Sequence, residues 1–253
     1  MIVSSQGRGM RRSASRIILL LLTTVVLSRE CPAQYPDIIE GSIRYPRILT
    51  PGKVKMSLEL SFARLPEDIL LEFSQIRAPL FSFDIYYGLP YDFQLEGKWA
   101  TVLIFTNQFQ VGAKWAHEWD RFHLSVGDDI AYVTGHLDQG AVKTFDNSIK
   151  AWFNYPNLAV GYAFDKFAVT LRGELNIGTS IRAFSDEIEL STDGDFFNGG
   201  AVAIYVEQPF YKEHFISVGF KANFIKFYYP SWPMFPTYDK IYFIPEVSFG
   251  FNL

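Results

Sequence analysis

Lys53-Val54-Lys55-Met56-Ser57-Leu58-Glu59-Leu60-Ser61-Phe62 alternates without a break. Val54, Met56, Leu58, Leu60 and Phe62 share one face, and Lys53, Lys55, Ser57, Glu59 and Ser61 share the other. A helix would mix the two sets, whereas a strand, with successive side chains on opposite faces, separates them. The same two-residue period returns at 81–87, 93–99, 108–115, 122–126, 158–164, 167–176, 202–207, 216–224 and 246–253. With the opening stretch this predicts ten strands. An extra pair drawn from the loops, with residues 66–76 as one candidate, would make twelve.

The links between these stretches are of two kinds. Gly88–Tyr91, Glu118–Asp120, Asp165-Lys166 and Gln208–Glu213 are tight, while Ala63–Leu80, Gly135–Asn157, Gly178–Asn198 and Phe227–Lys240 are long. The link near Phe105–Asn107 is short and breaks the rule once. Alternating short and long connections are the habit of membrane barrels, with short periplasmic turns and longer outer loops. The expectation is an all-β, transmembrane, antiparallel up-and-down barrel over residues 53–253, in the bacterial outer membrane, with both termini periplasmic.

The N-terminus fits export. Arg8, Arg11, Arg12 and Arg16 precede an uncharged apolar or hydroxyl run from Ile17 to Leu27, and Cys31-Pro32-Ala33 then supplies small residues for cleavage. Eleven residues are too few for a permanent helical span, which needs about twenty. Residues 1–33 therefore read as a signal peptide and 34–52 as a periplasmic lead-in or an extension of the first strand. A lipoprotein at Cys31 is disfavoured, because Arg29 and Glu30 stand where small residues are required. Losing residues 1–33, with five Arg and one Glu, takes the formal net charge from −4 to −8. That acidity argues against a nucleic-acid partner.

Alternation alone leaves open whether the apolar face meets lipid or a soluble core. Small and neutral polar residues crowd the opposite face, as in a wet lumen. Aromatic residues gather at strand ends: Tyr91, Phe93, Trp115, Trp119, Phe164, Phe167, Phe210 and Tyr211 near the tight turns, and Tyr228, Tyr229, Trp232 and Tyr242 near the last long loop. Two headgroup girdles are expected from them. The final stretch, Phe249-Gly250-Phe251-Asn252-Leu253, resembles the C-terminal signal of bacterial outer-membrane barrels. That resemblance implies recognition of Phe249, Phe251 and Leu253 by the outer-membrane assembly machinery. The family most often ends in Phe, where this chain has Leu. Leu49-Thr50-Pro51-Gly52-Lys53, and Tyr87-Gly88-Leu89-Pro90 before Phe93-Gln94-Leu95, resemble a family of small outer-membrane channels linked to phenol meta-pathway degradation. This second resemblance implies passage of small molecules.

The face turned away from lipid carries the candidate site. Lys53, Lys55, Lys98, Lys114, Arg172 and Lys221 are basic, and Glu59, Asp84, Glu96, Glu174, Glu207 and Glu246 are acidic. Unpaired buried charge is costly, so these residues must pair or stay wet. Wide aqueous channels need about sixteen strands, so ten leave a narrow lumen. The function expected is a narrow, porin-like channel or transporter for small solutes. The alternative is a non-conducting barrel that anchors or presents loops. Least favoured is an outer-rim hydrolase around His136, Asp138, Asp186, Glu187, Glu189, Asp193 and Asp195. The omptin proteases resemble the chain in strand count, but none of their motif aligns. His117-Glu118 with His123 fails as a zinc helix, since its two His lie six apart across a turn. No catalytic residue, metal site or cofactor is expected, and the partners are membrane lipids, the assembly machinery and small solutes. Asp128 is the one discordant residue: strict alternation turns it toward lipid, and a bulge would rescue it.

Overall fold

The structure, a computed structural model, describes residues 38–66, 77–102, 105–138, 146–185, 188–211, 214–234 and 240–253. Side chains at 77–78, 137–138, 146–147, 185, 188–196 and 233–234 fall outside that description. The signal-peptide expectation and the proposed helix or strand within 67–76 also lie outside the described residues.

Ten antiparallel strands close into one barrel: β1 (Val54–Arg64), β2 (Arg77–Leu89), β3 (Phe93–Val102), β4 (Thr106–Trp119), β5 (Phe122–Asp138), β6 (Asp146–Ala163), β7 (Ala168–Ser185), β8 (Ile188–Tyr211), β9 (His214–Ile225) and β10 (Tyr242–Asn252). Each strand pairs with its neighbours in sequence, and β1 closes on β10 with Leu58 opposite Phe251. The tight turns, the start of β1 and the end of β10 share one end. Left-handed backbone at Tyr91, Asp92 and Asp120 makes two of those turns sharp.

The polarity of the wall is inverted relative to a soluble barrel. Val54, Leu58, Phe81, Leu95, Val111, Leu171, Val202 and Phe249 stand exposed on the outside, while Ser57, Ser61, Asp84, Gln94, Ser125, Thr170 and Ser217 are buried inside. Such an exterior is stable only where the solvent is hydrocarbon, so the fold is a membrane-spanning β-barrel. No helix among the described residues is long and apolar enough to cross a membrane.

Three features depart from the sequence reading. The long links expected at 135–157 and 178–198 are largely strand, with β5 reaching Asp138, β6 starting at Asp146 and β7 reaching Ser185. Their alternation is hidden because the polarity reverses there: Val133, Ile149, Ala151, Phe153 and Ile181 are buried inside, while His136, Lys150 and Arg182 are exposed outside. This end of the barrel is built for water on its outer surface. Second, no bulge rescues Asp128. The β5 register runs unbroken against both neighbours, Asp128 faces outward, and Asp129 takes the inward position. Third, Tyr228, Trp232 and Tyr242 do not form an outer girdle. They are buried in the barrel mouth with Leu65, Phe227 and Ile244, Trp232 being carried there by a short 3-10 helix, Tyr229–Met234. Exposed aromatics nearer that end are Trp99, Phe109, Trp152 and Phe243.

Val111 is 67% exposed in the middle of β4. Val111→Arg is expected to destabilise the protein folded in lipid vesicles by about 2–4 kcal/mol, read from urea titration. A cost under about 0.5 kcal/mol, usual for a water-facing position, would place this surface in water.

Candidate functional site: a charged cavity closed by an internal strap

The residues before β1 fold into the barrel. The short helix α1 (Ile38–Gly41) and the strap that follows lie inside, where Ile43 and Tyr45 are buried. The wall makes room with small inward residues, Ala159, Gly161 and Ala163 on β6 and Ala168 on β7. A Cβ at Gly161 would collide with Tyr45 and Pro46, and one at Gly88 would collide with the carbonyls of Leu49 and Thr50. The segment 34–52, expected as a lead-in or strand extension, is thus an internal plug over its described part.

Polar groups of the wall hold the strap. Glu207 Oε1 accepts the backbone N–H of Ile43 at 2.6 Å and of Arg44 at 2.9 Å. Lys55 Nζ donates to the carbonyls of Glu40, Gly41 and Ser42, which end α1 and are otherwise free of helical partners. Tyr45 donates to the carbonyl of Arg121 at 2.7 Å, and Leu49 N–H donates to Gln94 Oε1 at 3.1 Å.

Arg44 is the centre of the arrangement. Its guanidinium lies 2.8 Å from Glu59 and 3.2 Å from Asp84, and donates to the Tyr86 hydroxyl at 3.1 Å. Burial works against its charge, but Asp84 and Glu59 outweigh that effect and hold it well above the ordinary arginine value. Lys98 joins the same cluster, 3.8 Å from Asp84. Around the wall, Lys114 pairs with Glu96 at 2.6 Å, Arg172 with Asp129 at 3.2 Å and with Glu174 at 3.7 Å, and Lys221 with Glu174. Glu246 lies near neutral donors, the Tyr228 hydroxyl at 3.3 Å and Asn223 at 3.4 Å.

These groups enclose a cavity of about 110 Å³, enough for several waters. Four cations (Arg44, Lys98, Arg172 and Lys221) and six carboxylates (Glu59, Asp84, Glu96, Asp129, Glu174 and Glu246) line it. Tyr86 separates it from a smaller space of about 30 Å³ beside the strap. At the other end, Tyr228, Tyr229 and Pro230 form its roof. Burial, then Glu246, pushes the Tyr228 phenol well above its ordinary range.

Eight of the twelve charged residues singled out in the sequence line this cavity or brace it: Glu59, Asp84, Glu96, Lys98, Arg172, Glu174, Lys221 and Glu246. Lys55, Glu207 and Lys114 serve the strap and its surroundings. Lys53 stands apart, a largely exposed partner of Glu40 at 3.2 Å. Arg44 and Asp129 were missed. Asp129 was hidden by the discordant Asp128 beside it. The row of small inward residues on β6 signals a void that Tyr45 and Pro46 of the strap fill, but no sequence pattern marks Arg44 itself.

Of the three residues expected to form an assembly signal, Phe249 and Leu253 are exposed on the outer face, and Phe251 stacks on His214 with ring centroids 5.1 Å apart. The two His of the failed zinc pattern lie on opposite faces: His117 outside between Trp115 and Trp119, His123 inside against Tyr45. Among the described residues, no group of three or more His, Cys, Asp or Glu could hold a metal. His136 is exposed, and the side chains of Asp138, Asp186, Glu187, Glu189, Asp193 and Asp195 lie outside the described residues.

No family model and no curated protein sequence matches the chain. Among solved structures it is similar to the attachment invasion locus protein Ail of Yersinia pestis, at 9% identity over 80% of this chain and 98% of that one, with a TM-score of 0.39. It is also similar to an outer-membrane channel from Pseudomonas putida F1, at 6% identity over 84% and 99% with a TM-score of 0.41, and to the KdgM porin, at 12% over 78% and 97% with a TM-score of 0.36. Likeness this distant assigns no activity.

Arg44→Ala leaves Glu59 and Asp84 only the more distant Lys98, at 4.0 and 3.8 Å, and should loosen the strap, since removing one partner of a buried pair costs up to about 3–5 kcal/mol. Trypsin should then cut after Arg47 in the folded variant and spare it in the parent. Equal protection of both would show that the strap is held without Arg44.

Proposed function

We propose that the chain is an outer-membrane barrel that passes small solutes through its interior, with the strap as its plug and both termini in the periplasm. The observation that carries this reading is the charged cavity itself. An anchor could fill its centre with apolar side chains at no desolvation cost, as this barrel does near Val133 and Ile149. Keeping ten ionisable groups around a wet space makes sense where polar cargo must cross. Six carboxylates against four cations favour cationic or zwitterionic solutes, and strap withdrawal removes one cation more. In this reading Glu59, Asp84, Glu96 and Glu246 face the passing solute, Lys98, Lys114, Arg172 and Lys221 balance them, and Lys55 and Glu207 dock the plug. Phe249, Phe251 and Leu253 carry the assembly signal.

A second reading, a non-conducting barrel, is favoured by the described residues that crowd the cavity, the strap with Arg44 on one side and Tyr228 and Tyr229 on the other. It would account for the barrel as an anchor or a scaffold for its loops.

Planar-bilayer recording separates the two. The parent should give small or rare openings. A variant lacking residues 38–47 should conduct several-fold more, with a reversal potential of cation-selective sign in a salt gradient. Glu246→Gln in that variant should weaken the selectivity. A folded, strap-deleted barrel that never conducts would exclude the channel.

A further inference from the structure

The ion pairs of the interior leave one carboxylate over. Glu59 and Asp84 lie 2.8 and 3.2 Å from Arg44, Glu96 lies 2.6 Å from Lys114, and Asp129 and Glu174 lie 3.2 and 3.7 Å from Arg172. Glu246 is equally buried, at 8% exposure, yet among the described residues no cation stands within 4.0 Å of it. Lys221 faces it across the β9–β10 ladder, but the Lys221 ammonium is turned to Glu174. The hydrogen bonds Glu246 does accept come from neutral donors, the Tyr228 hydroxyl at 3.3 Å and the Asn223 amide at 3.4 Å, and both fall on Oε2. A buried carboxylate without a counter-charge is costly.

A second acceptor on the same cavity also lacks a donor. Asn176, on β7, is nine-tenths buried, and its Oδ1 has no hydrogen-bond partner among the described residues. The remaining lining there is aromatic: Phe153 packs on Tyr155 and on Phe227, and Tyr228 lies against Tyr229. Ring faces attract a desolvated cation. With Lys114 counted, five cations stand against six carboxylates, so the missing charge is one positive unit. The space of about 110 Å³ has room for roughly seven to eleven waters, and so for a ligand of about as many heavy atoms. One carboxylate and one amide oxygen are too few for a hard metal ion such as calcium, which takes about six to eight oxygens.

We propose that the cavity beside Glu246 binds one small organic cation, an ammonium head on a short carbon chain. The head donates to Glu246 and supplies the charge that the ion-pair network lacks. Asn176 offers an amide acceptor from the β7 side, and the chain lies against Phe227, Tyr228 and Tyr229. This deepens the reading of the interior as a passage for cations. It rests on that reading for the ligand's transit, while the site itself stands on Glu246 and its surroundings.

The test folds the full chain in neutral detergent micelles with radiolabelled butylammonium present from the start, so that occupancy needs no opening in the folded wall. Equilibrium dialysis then reads the bound ligand, which should saturate at one per chain. Glu246→Gln keeps the shape of the side chain and can still accept from Tyr228, and it should weaken binding about tenfold or more. Glu40→Gln, at an exposed carboxylate outside the cavity, should leave binding as it is. Circular dichroism confirms that each variant has folded as a barrel. Butan-1-ol, of the same size without the charge, should not displace the label, and neither should sodium at matched ionic strength. No saturable binding to the parent, or equal binding to folded Glu246→Gln, would overturn the site. Displacement by butan-1-ol would reduce it to an apolar hole, and displacement by sodium would overturn the organic class of ligand. Conductance of the strap-deleted barrel is read separately: binding without conductance keeps the site and counts against the passage, while conductance without binding does the reverse.

Discussion

Hydrocarbon offers a peptide group nothing to hydrogen-bond, and the rest of this structure follows from that fact. The chain must satisfy its N–H and C=O groups within the wall, so ten strands close on themselves through the β1–β10 seam. Closure turns one face of every strand outward, where Leu58, Val111 and Phe249 dissolve in lipid. The other face is left with the polar half of each alternating pair. The charged interior is thus a consequence of the exterior solvent, and the strap is a consequence of the charged interior.

Inside, the energetic problem is charge in a confined space. Arg44 is brought in from outside the strands and set between Glu59 and Asp84, which would otherwise repel each other across the β1–β2 pair. Glu207 satisfies the strap's backbone, and Lys55 satisfies the end of α1. Each of these contacts is lost if the strap leaves, so plug and wall stabilise one another. Toward the other end the barrel changes character. Phe153, Phe227 and Trp232 pack as in a soluble protein, with Lys150 and Arg182 on the outer surface.

How much of this was legible in the sequence depends on where a strand sits. In the lipid band the period of two is sharp, and all ten strands, with most of the inward charged residues, can be read from it. Beyond the band both solvents are water, the outward face turns polar as at Lys150, and the alternation no longer announces a strand. Tyr228 and Trp232 look like girdle residues because their burial depends on a fold of the last link back into the barrel mouth. Arg44 sits in a segment with no periodicity, so its site exists only once β1 and β2 are side by side. Asp128 reads as an error in the pattern, yet the pattern holds through it.

Spin labels placed one at a time along β1, residues 54–64, of the protein folded in bilayers would test the inversion most directly. Accessibility to oxygen, which concentrates in hydrocarbon, should peak at Val54, Met56, Leu58, Leu60 and Phe62 and fall at every residue between them. Oxygen exposure at Ser57, Glu59 and Ser61 with shielding at the leucines would contradict the account, because it would mean the apolar faces meet one another inside.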